Sequence, residues 1–210
     1  MNKKDIFEWI ICILIALVIV SIITSFVGFP TVVSGNSMDS TVLDKQRLWV
    51  SKIAIRKDKY PERGDIITFE APDKDHQNRT KTDNVIAIYT EKKESVFSKL
   101  IPNMSFMKST SYIKRVIGLP GDHIEIKNEG VYRNGARLEE SYLDPGTVTE
   151  STHCTFIDLT VPDGCVYVLG DNREVSLDSR RFGCIPIEKI EGKAVFRFWP
   201  LNKIGKINKK

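Results

Sequence analysis

An uncharged apolar segment near the start of the chain limits most strongly what this protein can fold into. The segment runs from Trp9 to Phe29, contains 21 residues and is rich in Ile, Val and Leu. A helix of this length spans a hydrocarbon core of about 30 Å. A cleavable leader has an apolar core of only about 7 to 15 residues followed by an Ala-x-Ala-like site, and no such site follows here. The segment therefore predicts a retained transmembrane helix.

The basic residues on either side of this helix predict its orientation. Lys3 and Lys4 precede the apolar segment, and the first basic residue after it is Lys45. Because basic residues are enriched on the cytoplasmic side of membrane proteins, the N-terminus is expected in the cytoplasm. Pro30 is expected to end the helix. The predicted division is a cytoplasmic end at 1–8, a transmembrane helix at 9–29 and an extracytoplasmic part at 30–210.

Short apolar runs separated by turn residues follow the anchor, and this pattern is typical of β-strands. Strands are predicted at 47–55, 65–70, 112–118, 123–127, 130–132, 165–169 and 192–198. Tight turns are predicted at Glu129-Gly130, Asn134-Gly135 and Leu119 to Asp122, since Gly and Asn tolerate positive φ and Pro presets its own φ. The fold class is therefore mainly β with antiparallel sheets.

Residues 73–109 differ in character from the rest of the extracytoplasmic part. The stretch 73–84 is highly polar, 85–89 is a candidate strand, and apolar residues cluster between 97 and 107. A small insertion packed on the core is favoured over a membrane-dipping or substrate-selecting flap.

Charge and cysteine content favour some partners over others. The formal net charge is +4, with lysines scattered except at the two ends. This favours a solvated surface, and no nucleic-acid partner is expected. The basic tail at 203–210 allows weak attraction to anionic membrane lipid. Beyond Cys12, the spacing of Cys154, Cys165 and Cys184 does not match a zinc site. Buried thiols are favoured, with a Cys154–Cys165 disulfide as the alternative.

Ser37 and Lys114 are the residues most suited to nucleophilic catalysis. Ser37 lies between Asn36 and Met38 shortly after the apolar segment, and Lys114 lies in an apolar, strand-like run. A serine hydroxyl needs a base, and no histidine of this chain stands in a recognisable catalytic context. A buried lysine can serve, because burial lowers its pKa from about 10.4 by up to ~5 units. On a strand, Tyr112, Lys114 and Val116 share one face and Arg115 points to the other.

Three motifs occur together in one order: Ser-Gly-Asn-Ser-Met at 34–38, Tyr-Ile-Lys-Arg-Val-Ile-Gly-Leu-Pro-Gly-Asp at 112–122, and Gly-Asp-Asn-Arg-Glu-Val-Ser-Leu-Asp-Ser-Arg at 170–180. Phe-Trp-Pro-Leu-Asn-Lys-Ile-Gly follows at 198–205. With the N-terminal anchor, the chain resembles the bacterial type I signal peptidases, over nearly its whole length except 73–109. The resemblance implies a domain of coiled antiparallel β-sheets.

The resemblance also implies roles for individual residues. Ser37 would be the nucleophile and Lys114 the general base, with Ser176 donating to or accepting from the lysine amine. Asp178 and Arg180 would pair to hold the loop, supported by its neighbours Asp171, Asn172 and Arg173. No metal or organic cofactor is expected, and the sequence suggests no site for one.

The implied substrates are preprotein signal peptides with small residues, usually Ala, at the first and third positions before the cut. They would bind as an added β-strand. The positions that match pocket residues of the family are Val33, Gly35, Met38, Val42, Tyr112 and Ile113. Gly35 stands where many relatives carry an oxyanion-binding serine, so the Ser37 N–H would be the main oxyanion donor. Ser40 replaces a usual proline, which predicts a looser turn after Met38.

The predicted function is removal of signal peptides from exported preproteins by a membrane-anchored Ser/Lys endopeptidase. A narrower processing protease for one surface protein is the nearer alternative. A non-catalytic, membrane-tethered β-module is the alternative from another class, and retention of Ser37, Lys114 and Ser176 together argues against it.

Overall fold

The computed structural model describes residues 2–55, 60–73, 84–90, 110–127, 130–149 and 154–207. Helix α1 spans Lys3–Ile22, a π-helical turn spans Ile23–Val27 and a short helix α2 spans Ser179–Phe182. The strands are β1 Gly28–Val32, β2 Arg47–Ser51, β3 Ile66–Glu70, β4 Ser111–Gly118, β5 His123–Lys127, β6 Gly130–Arg133, β7 Ala136–Arg137, β8 Asp158–Thr160, β9 Cys165–Leu169, β10 Ile185–Pro186, β11 Ile190–Trp199 and β12 Gly205–Lys206. Most of the predicted insertion at 73–109 lies outside the described residues, as does Glu129 of a predicted turn.

Helix α1 and the π-helical turn form the apolar segment near the N-terminus. Residues Lys4–Val27 are long and apolar enough to cross a membrane, and none of this span is buried against the rest of the chain. The helical part ends earlier than predicted, because Gly28 already pairs with Ser51 in β1. A Cβ on Gly28 would overlap the Val50 carbonyl oxygen, so only glycine permits this close approach. Pro30 therefore lies within a strand and does not end the helix, which corrects the predicted boundary at Phe29.

The strands form two antiparallel sheets. The larger sheet has the order β1-β2-β11-β3-β4-β9-β10, with β12 also paired to β11, and the smaller has the order β7-β6-β5-β8. The predicted mainly β, antiparallel fold class is confirmed. Among the described strands of five or more residues, β1 alone was not predicted, because its first residues continue the apolar segment. The strands β7, β8, β10 and β12 were also not predicted, since they contain only two or three residues each.

Three apolar clusters make up the described core. One joins the smaller sheet to β9, and a second packs β3, β4 and β9 against α2. The third contains Val33, Met38, Val42, Leu48, Ile66 and Ala194. This third cluster lies directly beneath the turn that carries Ser37, so it fixes the backbone of that turn to the larger sheet.

Two of the predicted turns are confirmed, and one predicted strand is not. Asn134 and Gly135 have φ values of 53° and 80° between β6 and β7. The Asp122 N–H donates to the Leu119 carbonyl at 2.9 Å. At 85–89 the described residues form only an isolated parallel bridge between Ile86 and Cys184.

Two of the three cysteines that follow the anchor agree with the favoured prediction of buried thiols, whereas Cys154 is only partly buried. All four lie in the described part of the chain, and no disulfide joins them. Cys165 and Cys184 are buried, and burial raises the pKa of both thiols. Neither thiol is therefore a good nucleophile at neutral pH.

Candidate active site

Lys114 lies in the middle of β4 with only 3% of its surface exposed. Its Nζ lies 5.5 Å from the centre of the Tyr112 ring, as expected for two residues on one face of a strand. Burial lowers the pKa of Lys114 from 10.5 to about 8, although the negative charges of Asp178 and Asp171 oppose this shift. The amine is therefore a base that can be neutral near physiological pH, which an exposed lysine is not.

Ser37 lies in a tight turn that begins shortly after β1. The N–H groups of Thr41 and Val42 both donate to the Met38 carbonyl, and Met38 itself is fully buried. The Lys114 amine donates to Ser37 Oγ at 2.6 Å and to the Ile113 carbonyl at 3.0 Å. When the amine is neutral, its lone pair can instead accept the serine proton along the same line. The structure thus brings together Ser37 and Lys114, which lie in two different motifs of the sequence.

The loop between β9 and α2 holds the backbone of Ser37 from the other side. The Asn172 N–H donates to the Ser37 carbonyl at 3.1 Å, and the Ser176 N–H donates to the Asn172 carbonyl at 3.1 Å. Gly170 lies between the two serines: a Cβ there would overlap Ser176 Oγ and lie 2.5 Å from the Ser37 carbonyl oxygen. The loop can therefore approach the nucleophile only because position 170 has no side chain.

Asp178 and Arg180 form the predicted ion pair. Arg180 donates from Nε to Asp178 Oδ1 at 2.8 Å and from Nη2 to Oδ2 at 2.9 Å. The carboxylate also accepts from the Gly170 N–H at 3.0 Å and from the Arg180 N–H at the start of α2. Burial alone would raise the pKa of Asp178, but the Arg180 charge and these hydrogen bonds hold the pKa below its usual value. The carboxylate therefore stays ionised and ties the loop to α2.

The Ser176 side chain differs from its expected position. Its Oγ is buried and forms no hydrogen bond with any described residue, so the implied contact with the Lys114 amine is absent. The hydroxyl lies instead near Asp178. The contact depends on a side-chain rotamer, which sequence cannot specify. A supporting role for Ser176 stays a prediction.

A second buried ion pair was missed by the sequence reasoning. Arg115, which was predicted only to point away from Lys114, is fully buried and donates to both Asp171 oxygens at 2.8 and 2.6 Å. Thr41 Oγ1 donates to the same carboxylate at 2.6 Å. The pair therefore joins β4, the 170–180 loop and the nucleophile turn. An arginine in the middle of an apolar strand was the available signal, since a buried guanidinium needs a counter-charge.

The segment 138–149 adds a further brace behind the loop. Arg173 is buried, donates from Nε to the Gly170 carbonyl at 3.0 Å and forms an ion pair with Glu140. The Arg115 guanidinium lies over the Tyr142 ring at 3.9 Å from its centre. Nothing in the sequence pattern placed Glu140 or Tyr142 near the site, because the segment has no regular periodicity.

Ser40, which was expected to loosen the turn after Met38, adopts a left-handed backbone conformation. Its φ is 84°, a left-handed value that proline cannot reach. Its Oγ donates to the Tyr142 carbonyl at 2.9 Å. Proline could therefore not adopt this backbone conformation, and a hydrogen bond holds the turn to the 138–149 segment. A looser turn stays a prediction.

The predicted substrate-contacting residues lie close to the nucleophile but differ in accessibility. Val33, Met38 and Val42 pack together with the half-buried Ile113. Met38 and Val42 expose no surface, whereas Gly35 is exposed with a φ of 96°. A ligand that binds this surface would meet Ile113 and Tyr112 before the buried residues. Their role in substrate pockets stays a prediction.

Comparison with known proteins places this constellation in a family. The family model described as signal peptidase, peptidase S26, matches residues 6–199. The chain belongs to this family. Signal peptidase IB from Staphylococcus aureus strain COL is 35% identical over 96% of this chain and 93% of that protein. Signal peptidase I from Bacillus licheniformis is 32% identical over 98% and 95%.

A solved structure of a signal peptidase I from Enterococcus faecalis V583 is also similar. It is 28% identical and covers 64% of this chain and 97% of its own, with a TM-score of 0.40. The predicted family and the predicted enzyme class, a peptidase of the signal peptidase type, are confirmed by the family match and the relatives.

Replacement of Gly170 with alanine is expected to impair both cleavage and stability. The added methyl must displace Ser176 or the Ser37 carbonyl, and misplacing reacting groups by about 1 Å can cost roughly 100-fold in rate. We expect kcat/KM for a preprotein to fall about 100-fold, with an overpacking cost of about 1 to 3 kcal/mol in stability. Gly205→Ala is the matched control, because a Cβ at Gly205 meets open space. Wild-type activity in Gly170→Ala would show that the loop does not position the nucleophile.

Proposed function

We propose that this signal peptidase removes signal peptides from exported preproteins with Ser37 as nucleophile and Lys114 as general base. The observation that carries the proposal is the 2.6 Å contact between Ser37 Oγ and the Nζ of a buried lysine. A nucleophile within hydrogen-bond reach of a base whose pKa is lowered is the arrangement that activates a serine without histidine.

The geometry supports a two-stage acyl-transfer mechanism. Neutral Lys114 takes the Ser37 proton as Oγ attacks the scissile carbonyl, and the resulting ammonium donates that proton to the leaving amine when the peptide bond breaks. A water molecule then attacks the acyl-enzyme ester, with Lys114 accepting the water proton and returning it to Ser37 Oγ. The signal peptide leaves with a new carboxylate.

The backbone around Ser37 supports oxyanion stabilisation. Within the described residues, the Ser37 N–H donates to no backbone or side-chain acceptor, so it is available to a developing oxyanion. The Gly35 N–H is engaged by Asp44 Oδ1 at 2.9 Å, which holds the loop before the nucleophile. Losing one oxyanion donor typically costs about 3 kcal/mol in transition-state stabilisation, so the Ser37 N–H is a substantial part of the proposed site.

An unpaired strand edge beside Lys114 supports binding of the substrate as an added strand. On one side, β4 pairs with β3 along Ser111–Arg115. On its other side, β4 pairs with β9 only from Arg115 to Gly118, and among the described residues no strand covers Ser111–Lys114. An extended peptide can pair with this edge through main-chain hydrogen bonds. Every second side chain of the peptide would then face Ile113 and the apolar cluster that contains Val33 and Met38. Limited space there would favour alanine at the first and third positions before the cut.

The anchor supports a membrane-bound reaction close to the bilayer. Only a short strand and a few loop residues separate the end of the π-helical turn at Val27 from Ser37. With the basic residues at the N-terminus on the cytoplasmic side, the catalytic domain would face the exported side, where signal peptides emerge. The exposed, basic end near Lys203 and Lys206 would attract anionic lipid.

Cleavage of matched preproteins by the full chain in detergent micelles tests this function. We expect cutting at the junction after Ala-x-Ala, identified by sequencing the new N-terminus. Replacing the alanine immediately before the cut with phenylalanine should reduce kcat/KM at least about 100-fold. The phenylalanine side chain is larger than that of alanine by much more than one methylene group, so it does not fit a small pocket. Substitution two residues before the cut serves as the control. Cleavage of one preprotein out of a varied panel would favour the narrower processing protease, and inertness toward all of them would favour a non-catalytic module.

The pH dependence of cleavage tests the base assignment. Because the reactive form of Lys114 is neutral and its pKa is about 8, single-turnover kcat/KM should rise about tenfold per pH unit up to that value and then level off. Folding stability should also rise between about 8 and the ordinary lysine value of 10.5, where the unfolded chain binds more protons. A cleavage rate that is constant from pH 6 to 9 would contradict the assignment.

A further inference from the structure

The smaller sheet brings together three metal-ligating side chains that the catalytic mechanism does not use. His123 and Glu125 lie two residues apart on β5 and so share one face of the sheet. Asp158 on β8 is the direct cross-strand partner of Glu125, and Thr160 is the partner of His123. The antiparallel register therefore fixes the relative positions of the three residues, because all of them lie on strands and none lies in a loop.

The donor atoms of these residues are spaced as in a small coordination sphere. One nitrogen of His123 and one oxygen each of Glu125 and Asp158 all lie within 4.8 Å of one another. His123 Nε2 lies 3.4 Å from Asp158 Oδ1. Two ligands at about 2.1 Å from a tetrahedral zinc ion are themselves about 3.4 Å apart, so this pair already has the required separation.

A second observation concerns the orientation of the histidine ring. His123 Nδ1 lies 3.4 Å from Thr160 Oγ1, whereas the other ring nitrogen, Nε2, faces Asp158 Oδ1. Metal-binding histidines generally have a hydrogen-bonding partner on the nitrogen that does not bind the metal, which fixes the ring and its tautomer. Thr160 is placed by the strand register to serve in this way, leaving Nε2 for the Asp158 carboxylate.

The cluster contains two carboxylates and one neighbouring ammonium group, so a bound cation would compete with Lys127 for Glu125. Lys127 Nζ lies 3.3 Å from Glu125 Oε2 and 4.9 Å from the centre of the Tyr132 ring, so it occupies one carboxylate oxygen and leaves the other accessible. The His123 and Asp158 side chains are 43% and 65% exposed, which leaves room for water to complete the coordination.

We propose that His123, Glu125 and Asp158 form a binding site for a divalent transition-metal cation of the zinc class, which fastens β8 to β5. A mixed imidazole and carboxylate set favours such an ion over magnesium or calcium, which prefer oxygen ligands alone. The site lies in the smaller sheet, whereas Lys114 lies in the larger one, so the ion stabilises the fold and takes no part in peptide cleavage. The sequence suggested no metal site because Asp158 is far from His123 along the chain.

Zinc titration of the full chain in detergent micelles tests the site. The protein is freed of metal with a chelator, its accessible thiols are alkylated so that they cannot bind zinc, and zinc is titrated in competition with a chromophoric chelator. We expect one zinc ion per chain, with at least about a tenfold lower affinity in His123→Ala and in Asp158→Asn. Thr160→Val should weaken binding by a smaller factor. Asp163→Asn, an exposed carboxylate outside the cluster, should bind like wild type.

Thermal unfolding of the same samples gives an independent measurement. Saturating zinc should raise the Tm of the wild type and of Asp163→Asn but not that of His123→Ala, since an ion that binds only the folded state stabilises it. Preprotein cleavage by His123→Ala should match wild type, which shows that the variant is folded. Equal zinc affinity in wild type and His123→Ala, or no stoichiometric binding by wild type, would overturn the proposal and leave a surface His–Asp ion pair.

Discussion

Replacing Lys114 with methionine is expected to lower single-turnover cleavage by roughly 10⁴-fold or more, because the variant retains the shape of the side chain but has no base. The same substitution should not lower the Tm. Lys114 is 3% exposed, and the cost of burying its amine is removed when an apolar side chain of similar length takes its place. Loss of activity with equal or greater stability is the signature expected of a catalytic group held in an unfavourable environment.

The matched experiments for this prediction use Ser37→Ala and Lys206→Met. Ser37→Ala should be as inactive as Lys114→Met, and the double variant should be no worse, because the two residues act as one unit. Lys206 is exposed on β12, so its replacement should leave both rate and Tm near the wild-type values. If Lys114→Met kept its rate within tenfold of wild type, another group would have to be the base.

Replacing Asp178 with alanine is expected to have the largest effect on stability, a loss of about 3 to 5 kcal/mol in the free energy of unfolding. The change leaves the Arg180 guanidinium buried without its bidentate partner and removes the acceptor of the Gly170 N–H. It also removes the side chain that caps α2, which typically contributes about 1 kcal/mol. Urea unfolding, together with preprotein cleavage at a temperature where the variant is folded, measures both consequences.

Two further variants separate the structural role of this pair from its electrostatic effect on Lys114. Asp178→Asn keeps an acceptor and should lose less stability than Asp178→Ala. Because the Asp178 charge raises the pKa of Lys114, removing it should move the rise of the pH–rate profile to lower pH. The double variant Asp178→Leu/Arg180→Met has no unpaired buried charge, so it should be more stable than Asp178→Ala. Its cleavage activity should stay low. An unchanged pH profile in Asp178→Asn would contradict the electrostatic coupling.

A residue of the site could be predicted when it stands in a short sequence motif with recognisable spacing. Ser37 and Lys114 stand in motifs with recognisable spacing, and the structure places them in contact. By contrast, no local pattern specified that Arg115 pairs with Asp171 or that Arg173 pairs with Glu140, although three of these four residues stand in the same motifs. Such pairs form because a buried charge requires a partner, and the identity of that partner depends on which loops meet.

Element boundaries show the same division between local and tertiary causes. The apolar segment predicted a membrane helix, but its end at Val27 is set by Gly28 packing against β2, a strand that lies further along the chain. Likewise, β8 contains only three residues and exists because β5 offers it an edge. Ser176 was predicted to contact Lys114, but its buried hydroxyl does not form this contact, which depends on the side-chain rotamer.

The sequence by itself determined the membrane anchor, the antiparallel β-class and the motifs that carry the proposed dyad. These properties follow from apolar length, from a period of two residues in strands and from residue types at fixed spacings, all of which are local. Only the tertiary structure decided the burial of Lys114, the Arg115–Asp171 and Arg173–Glu140 ion pairs, the unpaired edge of β4 and the cluster of His123, Glu125 and Asp158. Each of these depends on strand register and on close approach between distant segments, which short-range patterns do not encode.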